Sequence, residues 1–114
     1  AAETGNFAIG VDSNQDYVQP GTMITSMMKN VDYAVYTAIA DRIAAGSVLS
    51  TIDSYGSAEN GVGPTWLVDG STLFADEGPA DMASQVAALI DEVADVRAKI
   101  ISGEIVVTDV TAGG

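Results

Sequence analysis

Two side chains in this sequence have the types and the spacing to hold a hydroxylated ligand. Asp12 follows an apolar run that ends at Val11, and Lys29 lies 17 positions later, after a run of β-branched and apolar residues. A carboxylate accepts hydrogen bonds from two neighbouring hydroxyls, and an ammonium group donates to a hydroxyl or a ring oxygen. Together they could hold a sugar diol without a metal. The spacing alone, however, favours a plain surface ion pair, which adds little stability.

The composition excludes several other kinds of site. The 114 residues include no Cys and no His, which removes thiol catalysis, His acid–base catalysis and Cys/His zinc sites. Polar side chains alternate over residues 12–16 as in a calcium loop, but Tyr17 and Met23 stand where that loop needs Gly and Glu. Residues 61–63 lack the glycine spacing and the Lys of a phosphate loop. We therefore expect no metal and no cofactor, and, because no second acid–base partner is apparent near Asp12 in the sequence, we do not expect an enzyme.

The net charge limits the partners. Sixteen acidic residues against four basic ones give −12, so too few cations are present to bind nucleic acid or an anionic membrane surface. No apolar run approaches the roughly 18 residues of a membrane span. The acidity fits a high-salt habitat, where screening weakens self-repulsion. It fits an ordinary acidic protein equally well.

The hydrophobic periodicity predicts an α/β fold with a mainly parallel sheet. Gly46 and Gly103 are expected to end its two helices. Ligands of open α/β sheets bind at the carboxyl ends of strands, which is where Asp12 and Lys29 would lie. We expect a helix end at residues 1–5, strands at residues 7–11, 22–27, 48–52, 65–68 and 104–107, helices at residues 30–45 and 79–102, and loops at residues 12–21 and 53–64.

Several short motifs occur in the order found in one family. The chain resembles the basic membrane protein family of ABC-transporter substrate-binding lipoproteins, the purine nucleoside receptor-like group, over about residues 1–107. Its Asn14 stands where that family usually has Asp, a difference expected to matter little for the ligand. The motifs are Gly10-Val11-Asp12-Ser13-Asn14-Gln15, Pro20-Gly21-Thr22, Thr25-Ser26-Met27-Met28-Lys29, Val31-Asp32 with Ala34-Val35-Tyr36, Asn60-Gly61-Val62-Gly63 and Lys99-Ile100-Ile101-Ser102-Gly103-Glu104-Ile105.

The resemblance implies a fold, a ligand and partners. It implies that residues 1–114 are the C-terminal portion of a two-lobed, type I periplasmic binding protein, crossing between lobes near residues 29 and 63 and ending in a flexible tail at residues 108–114. It implies an extracytoplasmic protein, anchored through an upstream lipid-modified N-terminus, that delivers a nucleoside to an ABC permease. The ligand-binding residues implied are Asp12, Ser13, Lys29 and Gly61, with base-reading groups upstream.

Two alternatives remain open at this point. The same fold could serve as the ligand-sensing domain of a transcription regulator, or Asp12 could act as the base of a sugar- or nucleoside-processing enzyme. If the solute-binding interpretation holds, Asp12 and Lys29 should end adjacent parallel strands and face one cleft. If the chain is one portion of a larger fold, the strand at residues 7–11 and the helix at residues 79–102 should leave apolar surface bare.

Overall fold

The fold is a small mixed sheet flanked by helices. A computed structural model describes residues 1–47 and 52–108. The α/β class predicted from the sequence is confirmed. In chain order the principal elements are β1 (Ala8–Asp12), β2 (Met23–Lys29), α1 (Val31–Ala45), β3 (Val62–Pro64), α2 (Thr65–Val68), α3 (Leu73–Glu77) and α4 (Ala80–Ser102), with single 3-10 turns at Ala2–Thr4 and Asp16–Val18.

The sheet has the order β1-β2-β3 within the described residues. β1 and β2 are parallel, with Asp12 opposite Met28, whereas β3 runs antiparallel to β2. The prediction of a mainly parallel sheet is therefore correct for the first pair only. Gly10 allows β1 to approach its surroundings closely, because a Cβ there would lie 2.5 Å from the Ser26 hydroxyl oxygen.

Both long helices begin and end where the sequence predicted. Gly46 and Gly103 follow α1 and α4 in the left-handed conformation, and their amides donate to the carbonyls of Ile43 and Ile100. Glycine suits these positions because it has no Cβ to clash. The helix end predicted at residues 1–5 is a single 3-10 turn that Gly5 ends in the same way.

The short elements differ from the prediction. Residues 65–68 form a helical turn instead of a strand, with the Asp69 amide donating to the Thr65 carbonyl. A short apolar run fits a strand or a buried helical turn equally well, and here the extended Pro64 ends β3 just before it. β3 itself lies in the predicted loop. α3 was not predicted.

The prediction of a final strand at residues 104–107 is also wrong. The Ile105 amide donates back to the Lys99 carbonyl, so this segment caps α4 and does not join the sheet. Of the strand predicted at residues 48–52, residues 48–51 lie outside the described part of the chain, and Ile52 is exposed and not in a strand. The tail predicted at residues 108–114 also lies outside it, apart from Thr108.

Apolar side chains are widely exposed, as expected for a portion of a larger fold. In β1, Ile9 and Val11 are more than half exposed, and in α4 Leu89 and Ile101 are nearly so. A cavity of about 180 Å³ separates β2 and β3 from the second half of α4. β1 and α4 therefore carry apolar surface that the described part of the chain leaves uncovered.

Helix α1 is the extreme case. Within the described part of the chain, no residue of α1 is buried. Its apolar side chains lie on every side of the helix, and Tyr36 and Ile43 are about three-quarters exposed. Helices that are apolar all round are normally buried in a larger core.

Candidate functional site

Asp12 and Lys29 meet at one edge of the sheet. Asp12 is the last residue of β1, Lys29 is the last residue of β2, and these strands are parallel neighbours. The Lys29 Nζ atom lies 2.7 Å from the Asp12 Oδ1 atom. The predicted placement at the carboxyl ends of adjacent parallel strands is thus confirmed; that both residues face one cleft and bind a ligand stays a prediction.

The ion pair is exposed, with 67% of the Asp12 side chain and 60% of the Lys29 side chain accessible to solvent. Exposed ion pairs contribute about 0–1 kcal/mol to stability. Both groups therefore retain room for further hydrogen bonds, since a carboxylate has about four acceptor positions and an ammonium group three donors. The arrangement could hold a small ligand that carries adjacent hydroxyls.

The backbone at Asp12 adopts an uncommon conformation. Its φ is +73°, in the left-handed region, and the Ser13 amide donates to the Val11 carbonyl at 3.0 Å. This three-residue turn is the rarer, strained kind of γ-turn. Strain of this type costs about 1–3 kcal/mol and is concentrated at functional sites. The turn directs the chain out of β1 at the first residue after the apolar run.

Ser13 and Gly61 occupy different environments. Ser13 is exposed and directly follows the turn at Asp12. Gly61 is buried beside the end of β2, where its carbonyl accepts from the Asn30 amide at 2.9 Å and its own amide donates to Gly56 at 2.9 Å. Because the Gly61 amide is already used, this residue is better suited to holding the loop than to donating to a ligand.

A buried carboxylate behind the site was not identified from the sequence. Asp16 is only 1% exposed, and its oxygens accept from the hydroxyls of Ser26 at 2.6 Å, Thr65 at 2.6 Å and Ser71 at 2.7 Å. These donors come from β2, from α2 and from the turn before α3. The alternation at residues 12–16 drew attention to Asp16 only through a comparison with calcium loops, which Tyr17 and Met23 do not fit.

The hydroxyl protons around Asp16 can be assigned by counting. Thr65 has one proton and donates it to Asp16, so the 2.8 Å contact between Thr25 and Thr65 must have Thr25 as the donor. Thr65 Oγ1 also accepts from the Ser26 amide at 3.2 Å. A buried polar cluster stabilises a fold only when its members are satisfied, and this one is.

The comparisons with known proteins agree with the sequence motifs. Residues 1–111 match the family described as ABC transporter substrate-binding protein, PnrA-like. The chain belongs to this family. Basic membrane protein C of Borreliella burgdorferi, from two strains, is 31% identical to the chain over 107 residues, which is 90% of this chain. The chain spans about a quarter (26%) of the length of these relatives.

The matched family is described as one of ABC-transporter substrate-binding proteins. No cluster of three or more His, Cys, Asp or Glu side chains that could hold a metal ion occurs in residues 1–47 and 52–108. Over the same residues, no helix is both long and apolar enough to cross a membrane.

Asn14, where the family resemblance has Asp, has a role that the sequence analysis did not predict. Its amide nitrogen donates to the Asp69 carboxylate at 2.6 Å, and its oxygen accepts from the Asp16 amide at 3.0 Å. An Asp at position 14 could keep only the second of these bonds. The Asn thus ties the loop after β1 to the turn after α2.

Helix α4 holds the loop that leads into the family motif Asn60-Gly61-Val62-Gly63. Arg97 donates to the Ser57 carbonyl at 2.8 Å and also hydrogen-bonds the Asn60 side chain. Asn60, with φ of +55°, accepts in turn from the Asn30 side-chain amide at 2.6 Å through its carbonyl. This series of contacts connects α4 to the residue that follows Lys29.

Proposed function

We propose that this chain contributes the Asp12 side of a nucleoside-binding cleft in a solute-binding protein that delivers its ligand to an ABC permease. Asp12 accepts from the two ribose hydroxyls, Lys29 donates to a hydroxyl or the ring oxygen, and the exposed Ser13 lies at the rim. Gly61 holds the loop beside Lys29. The base is read by residues outside this chain.

One observation carries the proposal: a carboxylate and an ammonium group at adjacent parallel strand ends, 2.7 Å apart and both exposed. A ribose diol presents two donors at the spacing of the two oxygens of one carboxylate. The strained turn at Asp12 supports the assignment, because strain is retained where a side chain must be aimed. The family match supports solute binding as such.

The proposal includes location and the rest of the protein. As in the substrate-binding lipoproteins that the chain resembles, we place it outside the cytoplasm, anchored through a lipid on an upstream segment. We further propose that upstream polypeptide of the same protein covers α1 and the apolar face of β1. Support comes from their exposed apolar side chains and from relatives about four times as long as the matched segment.

The test is calorimetric titration of the complete gene product with purine nucleosides, pyrimidine nucleosides and ribose. Asp12→Ala removes an acceptor of two charge-assisted hydrogen bonds, each worth about 1.5–3 kcal/mol, so affinity should fall more than tenfold. Lys29→Ala should cost less, because a flexible ammonium group is a less directional partner. Neither change should unfold the protein, since both side chains are exposed.

Asp95→Ala is a matched control. It removes the carboxylate of another exposed ion pair, to Lys99 on α4 at 2.7 Å, and should leave affinity unchanged. Wild-type affinity in Asp12→Ala would refute the site. Binding of an unrelated solute and of no nucleoside would refute the ligand class. Turnover of a bound nucleoside would favour the enzyme, and a DNA-binding segment in the complete gene product would favour the regulator.

A further inference from the structure

The buried Asp16 needs an explanation beyond stability. Taking a carboxylate out of water is costly, and three hydroxyl donors only offset that cost. No cation lies on Asp16 in the described part of the chain, where Lys29 and Lys99 pair with other carboxylates, as does Arg42, and Arg97 bonds the loop at residues 57–60. An apolar side chain would fill a core position at lower cost.

The hydrogen bonds around Asp16 lead directly to the candidate site. Ser26 donates to Asp16 and at the same time accepts from the Gln15 amide at 3.0 Å. The Asp16 amide donates to the Asn14 side chain, which is itself held by Asp69. Three consecutive residues, beginning two positions after Asp12, are therefore each fixed to β2 or to the turn after α2.

The fixed segment limits where the chain can go at Asp12. On one side β1 is hydrogen-bonded to β2, and on the other side Gln15 is held over Ser26, against the bare face of Gly10. Asp12 is the last residue of β1 paired with β2, and Asn14 is the first residue of the fixed segment, so the change of direction must occur at Asp12 and Ser13. This is the position where φ is +73°.

We propose that Asp16 is a positioning residue that holds Asp12 in its left-handed conformation and so preorganises the acceptor for the ligand hydroxyls. Fixing a binding group before the ligand arrives strengthens binding, because the ordering cost is met in folding and not in association. The identity of the ligand in this inference rests on the proposed function. The effect of Asp16 on the conformation of Asp12 does not.

Two serines allow positioning to be separated from simple stabilisation. Ser26→Ala and Ser71→Ala each remove one hydroxyl that donates to Asp16. Only Ser26 also accepts from the Gln15 amide, so only its loss releases the segment next to Asp12. The two variants are matched in chemistry and differ in their connection to the site.

The experiment uses the complete gene product with isotope-labelled Asp. The three-bond HN–Hα coupling of Asp12, which depends on φ, is measured without ligand, and nucleoside affinity and unfolding free energy are measured for each variant. In Ser26→Ala the coupling should move toward the larger value of an extended residue and affinity should fall at least fivefold. In Ser71→Ala the coupling should not change and affinity should stay within twofold.

Equal effects of the two variants on the coupling and on affinity, or effects that follow unfolding free energy alone, would overturn the positioning role. If wild type binds no nucleoside but Ser26→Ala alone changes the coupling, the ligand assignment fails and the positioning of Asp12 stands. Asp16→Asn, which keeps the shape but loses one acceptor oxygen, should change the coupling more than Ser26→Ala; a smaller change than in Ser71→Ala would also overturn the role.

Discussion

Asn14 shows how one side-chain atom decides the stability of the loop that carries the site. Its nitrogen faces Asp69 at 2.6 Å and its oxygen faces a backbone amide. An amide offers a donor and an acceptor in one planar group, which neither a carboxylate nor a hydroxyl can supply in this orientation. The loop after β1 therefore depends on an amide at this position.

Asn14→Asp should destabilise the protein at neutral pH. The change replaces a hydrogen bond by two carboxylates about 2.6 Å apart, and loss of a bond to a charged group costs about 1.5–3 kcal/mol. The measurement is denaturant unfolding. Asp69→Asn in the same chain restores a donor and should recover most of the loss, giving a clear coupling energy in a double-mutant cycle. Additive effects of the two changes would contradict the assignment.

The residues of the site differed in how far the sequence could reveal them. Asp12 and Lys29 were identified because each ends a recognisable strand, and strand ends of parallel neighbours meet. Asp16 was missed because Thr65 and Ser71 lie 49 and 55 positions away in the chain. Local pattern carries no information on such contacts. The one sequence signal for Asp16 was its position in a short loop between two apolar strands, and this signal is weak on its own.

At the scale of elements, α4 secures the loop at residues 57–60 through Arg97. The planar guanidinium reaches both a carbonyl and the Asn60 side chain, and Asn60 contacts Asn30 beside Lys29. Both bonds come from one nitrogen, Nη2, whose two protons are held at fixed positions in the guanidinium plane, whereas a lysine ammonium is a flexible and less directional donor. Arg97 therefore links the longest helix to the end of β2.

Arg97→Lys should loosen this loop without unfolding the protein. We expect the Gly61 and Asn30 amides, which take part in the loop's hydrogen bonds, to exchange with solvent at least fivefold faster. Lys99→Ala, which removes a cation from the same helix near an exposed carboxylate, is the control and should leave these amides unchanged. The measurement is amide hydrogen exchange. Unchanged protection in Arg97→Lys would show that the backbone alone holds the loop.

Elements were predicted from sequence in proportion to their length. α1 and α4 have many periodic positions and glycine caps, so both were placed to within one residue at each end. Residues 62–68 divide into β3 and α2 within seven positions, too few for a period to emerge. Their structure is decided by pairing with β2 and by the bond from Thr65 to Asp16. Tertiary contacts therefore determine the short elements.

For the whole molecule, charge is the main long-range effect. The net charge is −12, and within residues 1–47 and 52–108 three of the four cations form ion pairs. Few attractive pairs remain to offset repulsion among the other carboxylates. Salt screens such repulsion over distances of about 10 Å at 0.1 M.

The thermal unfolding temperature should therefore rise with sodium chloride concentration, measured by circular dichroism up to 1 M. Asp91 and Glu92 are exposed residues of α4. The double variant Asp91→Asn with Glu92→Gln makes the net charge less negative, from −12 to −10, and should reduce the rise of the unfolding temperature with salt. A falling unfolding temperature would mean that the ion pairs, and not the repulsion, dominate.

The exposure of α1 also has a consequence for immunochemistry. Tyr36 and Ile43 are about three-quarters exposed on α1, so both are open to contact by an antibody in the segment described. An antiserum raised against an isolated polypeptide of residues 1–114 would therefore contain antibodies against α1. If upstream polypeptide covers the helix as proposed, such antibodies would stain denatured blots strongly and intact cells poorly. Sera against the exposed face of α4, by contrast, would recognise both.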